Sequence, residues 1–194
     1  FCLALSILFS MIVFCNISRI IPYKGHLFLI ELFYELSKYK NDLILNIIGD
    51  TLPQYESYYN KLKEKVKQYN LQKNIRFLGY KSNVLEYLEK SHFFIHCPIS
   101  PDPLPTVIFE AIASETPVIF TNLGGAYEIL DCGKNGLTID HLSLKKSCEI
   151  IIKYLKDIDL QQKNITESKS FVNKNFHINS FNNNLKELIT DIVK

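Results

Sequence analysis

No C-x-x-C pair occurs in this 194-residue chain, although it has five cysteines (Cys2, Cys15, Cys97, Cys132 and Cys148). Their odd number and wide spacing argue against a disulfide framework or a cysteine zinc site. Reduced thiols in a cytosolic setting are the expectation. No His-Glu-x-x-His sequence is present, and neither a metal nor a cofactor is expected. Charge of one sign is also scarce: the net charge is +2, which gives no reason to expect nucleic acid as a partner. There is no initiator Met. Phe1–Phe14 is apolar, but it has no basic flank and is shorter than the ~20 residues a membrane span needs. Residues Phe1–Ser10 are read as the remainder of an upstream segment, which makes the chain a truncated one. An anchor holding the protein at the cytoplasmic membrane face is the alternative. No internal repeat and no linker divides the rest, so residues 11–194 are taken as one domain.

What is present is an alternation of short apolar runs with helical periodicities. Met11–Ile17, Leu43–Ile48, Ile75–Leu78, Phe93–Cys97, Val118–Thr121 and Leu137–Ile139 read as strands, the longer ones covered on both faces. His26–Tyr39 and Tyr55–Tyr69 carry apolar residues at helical spacing. Asn83 with Glu86 resembles a capping box opening a helix to Lys90. A helical turn is expected at Glu128–Leu130. Ser143 is placed to cap a helix running to about Lys156, and the last ~35 residues are polar and helical with breaks near Asn173–Asn184. Strands alternating with helices imply an α/β, Rossmann-like parallel sheet of about six strands with helices on both faces. Such sheets bind ligands at the carboxyl ends of their strands. Asn16-Ile-Ser and Asn164-Ile-Thr match the glycosylation pattern, which is common by chance.

The residues with chemistry to offer follow those strands. Arg19 and Lys24 lie five positions apart in SRIIPYKG. Two cations on a fixed loop suit a dense anion such as a diphosphate, Arg through its planar fork and Lys as a point charge. Solvated surface cations are the plainer alternative. The stretch Ser100–Gly125, SPDPLPTVIFEAIASETPVIFTNLGG, is a proline-stiffened loop, a short helix, a strand and a glycine-bearing loop. It holds Asp102 and, after seven intervening residues, Glu110. A helix beginning near Thr106 would point unpaired backbone N–H groups at whatever the loop binds. Glu110 lies among Val107, Ile108, Phe109, Ala111 and Ile112, so its carboxylate needs a partner, either a ligand or a structural cation. Gly124-Gly125 permits close backbone approach, as do Gly49 and Gly79 at the ends of two strands, though isolated glycines often only end a strand. His96, on an apolar strand, reads as a satisfied core residue.

Asp102, Glu110, Ala111, Ala113, Pro117, Val118, Gly124, Gly125 and Glu128 together resemble the acidic motif of the retaining, family 4 glycosyltransferases of the GT-B fold. The Arg19, Lys24-Gly25 spacing resembles the phosphate loop of that family. Three positions depart from the pattern: Asp102 where Glu is usual, Glu115 where Gly is common, and Ser18 where Gly often precedes the Arg. The resemblance covers roughly residues 11 to 190 and implies the C-terminal, nucleotide-sugar-binding half of a GT-B enzyme. It implies a donor of UDP or GDP type. Arg19 and Lys24 would offset leaving-group charge. Asp102 and the backbone of Pro103, Leu104, Pro105, Thr106 and Val107 would hold the sugar, and Glu110 would accept from the ribose hydroxyls. Gly49, Gly124 and Gly125 would border the phosphates, and Gly79-Tyr80 the base. A preceding acceptor domain and a glycan or lipid-linked acceptor are implied as partners, and this half by itself would bind donor with little turnover. A non-catalytic nucleotide-sugar-binding or scaffolding module and a GT-B sugar-nucleotide epimerase fragment are the alternatives.

Overall fold

The computed structural model describes residues 11–177 and 179–180; the apolar segment 1–10 and most of the Asn-rich tail lie outside the described residues. Six strands form one sheet: β1 Ile12–Ile17, β2 Leu43–Ile48, β3 Ile75–Phe77, β4 Phe93–His96, β5 Val118–Thr121 and β6 Leu137–Ile139. All neighbours run parallel, in the order β3-β2-β1-β4-β5-β6. The expected Rossmann-like architecture is therefore present, and each strand lies within one residue of its expected bounds.

The continuous apolar runs have the reason anticipated for them, because both faces of the sheet are covered. Phe14, Leu45, Ile47, Phe93, Ile95 and Ile119 point to one core. It is closed by α1 (His26–Ser37) through Leu29, Leu32 and Phe33, by α2 (Glu56–Gln68) through Leu62 and Val66, and by α6 (Leu144–Tyr154) through Ile151 and Tyr154. The alternate residues Cys15, Ile48, Phe94, Val118 and Phe120 point to the other core. There α3 (Leu85–Glu89), α4 (Val107–Ala113) and α5 (Gly125–Ile129) supply Leu88, Ile108, Ala111, Ala126 and Ile129. Phe14 packs edge-on to Phe33 at 5.0 Å and stacks on Phe93 at 5.3 Å, joining α1 to the sheet centre.

Several local expectations needed correction. The Asn83–Glu86 capping box does not form: α3 starts at Leu85 behind Val84 with no side-chain cap. The Glu86 carboxylate is taken instead by Lys90, four residues on, at 2.6 Å. Ser143 stands at the N-cap of α6 but makes no side-chain cap bond. The cap that does form was unread: Asp157 accepts from the Leu160 amide at 3.0 Å and opens α7, Ile158–Asn175. The turn expected at Glu128–Leu130 begins three residues earlier, at Gly125. Glu115, where the resembled family commonly has Gly, has φ +56 just after the end of α4, and its carboxylate meets Lys169 of α7 at 2.6 Å. Asn16 and Asn164, the two glycosylation-pattern residues, are buried. No helix among the described residues is long and apolar enough to cross a membrane.

Candidate functional site

Strand order reverses between β1 and β4, so the loops that leave their carboxyl ends depart toward opposite faces and leave a crevice between them. The β1 loop is anchored from below by the buried side chains of Ile20 and Ile21. It is stitched on one side to the β2 loop, Ile20 N–H to the Asp50 carbonyl at 2.9 Å. On the other side the Tyr23 carbonyl accepts from the Ile99 amide of the β4 loop at 2.9 Å. Pro22 starts a single 3-10 turn, Pro22–Lys24, which ends on Gly25 at φ +77. That turn sets the direction in which Lys24 leaves the backbone.

Lys24 reaches across the crevice and forms an ion pair with Oδ2 of Asp102. The two side chains expose only 14% and 13% of their surface. A third group was not anticipated. His96, at the end of β4, places Nε2 3.4 Å from the same Oδ2. This is long for a hydrogen bond, and Nε2 has no hydrogen-bond partner among the described residues. The reading of His96 as a satisfied core residue is therefore corrected: it is buried, but its polar edge faces Asp102. His96 first and Lys24 next hold the Asp102 carboxyl down at about 2, against the partial burial that raises it.

The backbone of Asp102 is fixed from the other side. Its carbonyl accepts from the Gly125 amide at 2.8 Å, and a parallel bridge joins Asp102 to Gly124. A Cβ on Gly124, which has φ +82, would lie 2.3 Å from the Asp102 carbonyl oxygen, and one on Gly125 2.2 Å from that of Pro103. In this structure the glycine pair lets two loops touch at Asp102.

The other candidates are distributed along the same edge. Arg19 is exposed on the Lys24 loop, and no ion pair to it occurs among the described residues. Glu110 is half-buried in the first turn of α4, likewise without an ion pair among the described residues, so the structural-cation alternative has no support there. The α4 N-terminus offers fewer free amides than expected: Ile108 and Phe109 donate back to Pro105 and Thr106 at 3.0 Å. Of the loop leading to it, Pro103, Leu104 and Thr106 are exposed, Pro105 is buried and Val107 half-buried. Gly49, whose amide donates to the Gly79 carbonyl at 3.0 Å, and the exposed Tyr80 end β2 and β3, two strands along the edge. The structure thus gathers Lys24, Asp102, His96, Gly124 and Gly125 in direct contact, and sets Arg19, Glu110, Gly49, Gly79 and Tyr80 around the same carboxyl edge without contacts to that group.

Beneath the β1 loop runs a buried polar chain: Asn16 Nδ2 donates to the Ile95 carbonyl at 2.8 Å, and Ser18 Oγ lies 3.2 Å from His26 Nε2. Burial holds His26 down to about 4, with the nearby Lys24 charge acting in the same direction. Burial also pushes the Cys15 and Cys97 thiols up to about 12, which leaves them inert. One histidine spacing in the sequence, His92-x-x-x-His96, has the form of a metal pair. It runs along strand β4, however, where four residues span about 13 Å. His92 sits at the far end, its Nδ1 accepting from the Val13 amide at 3.1 Å.

The chain matches the family model described as Glycosyl transferases group 1 over residues 10–171. An uncharacterized glycosyltransferase of Methanocaldococcus jannaschii is 36% identical over 120 residues, 61% of this chain and 28% of that protein. An N-acetylgalactosamine-N,N'-diacetylbacillosaminyl-diphospho-undecaprenol 4-alpha-N-acetylgalactosaminyltransferase of Campylobacter jejuni is 27% identical over 126 residues, 64% of this chain and 32% of that protein. Among solved structures, HepE of Anabaena in complex with UDP has the same fold, with a TM-score of 0.83 at 21% identity over 96% of this chain and 50% of that one. The chain therefore spans about a third or less of these curated relatives and half of the solved structure.

Proposed function

The chain belongs to the glycosyl transferases group 1 family, and from that premise we propose that it is the donor-binding half of a retaining, family 4 glycosyltransferase that uses a nucleoside-diphosphate sugar of UDP or GDP type. The observation that carries the reading is the meeting of Lys24 and Asp102 across the β1/β4 reversal. A cation and an acid delivered there from separate loops match the two halves of a sugar diphosphate. Arg19 and Lys24 face the diphosphate and offset the charge that grows on it as the glycosidic bond breaks. Asp102 and the backbone from Pro103 to Val107 orient the sugar. Glu110, with no protein cation competing for it among the described residues, accepts from the two vicinal ribose hydroxyls. Gly49 and the Gly124-Gly125 turn border the phosphates, and Gly79 with Tyr80 borders the base.

The acceptor in this reading is a glycan or a lipid-linked sugar, the second supported by the diphospho-undecaprenol carrier in the name of the Campylobacter relative, and the process is cell-surface polysaccharide synthesis. It is held by a second domain that precedes this one. Donor binding then belongs to this chain and efficient turnover to the pair of domains, in the cytoplasm or at the cytoplasmic face of the membrane.

Calorimetric titration with UDP- and GDP-sugars tests the reading. Binding of one nucleotide class, weakened at least tenfold in both Arg19→Ala and Glu110→Ala, is the expected result. A folded chain that binds neither class favours the non-catalytic scaffolding module instead.

A further inference from the structure

The pairing of Lys24 with Asp102 creates a difficulty for any ligand that needs both. On the reading above, Lys24 goes to the diphosphate and Asp102 to the sugar, so the pair must open. Asp102 then gives up its ammonium partner while most of its surface stays out of water, a costly state for a carboxylate with nothing else to hold it. One other side chain points at it. His96 is 2% exposed, lies at the rigid end of β4 and directs Nε2, without a hydrogen-bond partner among the described residues, at the oxygen that Lys24 holds.

We propose that His96 is a positioning residue that keeps Asp102 aimed at the donor sugar once the diphosphate has drawn Lys24 away. The geometry suits the task. His96 is on the sheet, stacked at 6.3 Å along Phe94, so it does not follow the β1 loop when Lys24 turns. The bridge to Gly124 and the bond from Gly125 fix the backbone of Asp102 but leave its carboxylate free to rotate. A donor at Nε2 selects one orientation of that carboxylate and leaves the second oxygen, Oδ1, for a sugar hydroxyl. The 3.4 Å separation leaves room for the contact to tighten.

This role rests on the donor reading, and one set of titrations separates the two. The affinity of the protein for the nucleoside diphosphate is compared with that for the nucleotide sugar, the ratio reporting the sugar's share. His96→Leu is expected to erase about tenfold of that ratio and to leave diphosphate binding within about twofold. His96→Gln, whose Nε2 donates from a similar position, is expected to retain most of it. In an Asp102→Asn background His96→Leu is expected to cost nothing more, because its effect passes through Asp102. Near-ultraviolet circular dichroism verifies that each variant is folded. Equal losses in the Leu and Gln variants, or an unchanged cost of His96→Leu in the Asp102→Asn background, would overturn the positioning role and leave donor binding standing. A wild-type chain that binds the diphosphate and its sugar equally would overturn the positioning role alone, and one that binds neither would overturn both.

Discussion

Lys24 and Asp102, 78 positions apart in sequence, form one ion pair that closes the crevice between the loops of β1 and β4. The carboxyl of Asp102 is held at about 2, below the ordinary value of 3.8, with His96 and Lys24 as the causes. A folded-state value below the unfolded one means that the pair stabilises the protein fully above the unfolded value, and that this contribution fades as pH falls toward about 2. Urea unfolding of wild type and Asp102→Asn should therefore differ by on the order of 2 kcal/mol at pH 6, and the gap should close between about pH 4 and pH 2. A gap that is constant with pH would mean that the ion pair is not its source.

The glycines predict a ranking. Gly124→Ala and Gly125→Ala would drive a methyl group into the Asp102 and Pro103 carbonyls. Neither carbonyl belongs to a flexible side chain, so each substitution must displace the Asp102 loop, at a cost of several kcal/mol. Gly79 also has positive φ, +68, but a Cβ there meets nothing within 4 Å, so Gly79→Ala should cost only the backbone term of about 1 kcal/mol. Thermal denaturation should place both loop variants well below Gly79→Ala. Equal shifts in all three would refute the close approach.

The sheet was legible because its signal is local. A strand covered on both faces is apolar at nearly every position, and Leu43–Ile48 and Val118–Thr121, with one polar residue each, match their expected bounds to the residue. The cations and acids of the site could be named for a similar reason, since each follows such a run. What the sequence could not show is which of them touch. Each of Lys24 and Asp102 reads by itself as a ligand of a diphosphate sugar, whereas in the fold they bind each other. His96 was misread because an apolar strand with one histidine looks the same whether the ring faces a hydrophobic core or a carboxylate from another loop. The failed Asn83–Glu86 cap shows the local limit: Glu86 had two acceptable partners, and the nearer cation, Lys90, took it.

His26 predicts a second pH effect, distinct from that of Asp102. Its burial holds it down to about 4, well below the usual 6.5. The unfolded chain therefore binds a proton between those values that the folded one refuses, and stability must fall as pH drops from about 6.5 to 4. In His26→Gln, which keeps a polar contact to Ser18 without a titrating ring, this part of the acid limb should flatten by on the order of 3 kcal/mol. The measurement is the urea midpoint at half-unit steps. An unchanged limb would assign the loss to other groups, His92 among them, whose value is also lowered by burial.

Arg19 and Lys24 share a loop and a proposed role, yet they should separate cleanly when each is replaced by alanine. Arg19 is exposed and has no ion pair among the described residues, so Arg19→Ala should leave stability within about 0.5 kcal/mol. Its loss should appear only when a diphosphate is present, as the loss of a charge-assisted contact worth about 1.5–3 kcal/mol, roughly tenfold to a hundredfold in affinity. Lys24 already has a partner within the protein. Lys24→Ala strands a largely buried Asp102 with only His96 near it, so it should lower stability by on the order of 2 kcal/mol before any ligand is added. Its affinity loss should be the smaller of the two, because in wild type part of the energy of binding Lys24 is spent opening the pair. Urea unfolding and calorimetry on the same two preparations give all four numbers. A Lys24→Ala protein as stable as wild type, with the larger affinity loss, would mean that Lys24 stands free for its ligand and that the pair with Asp102 carries no weight.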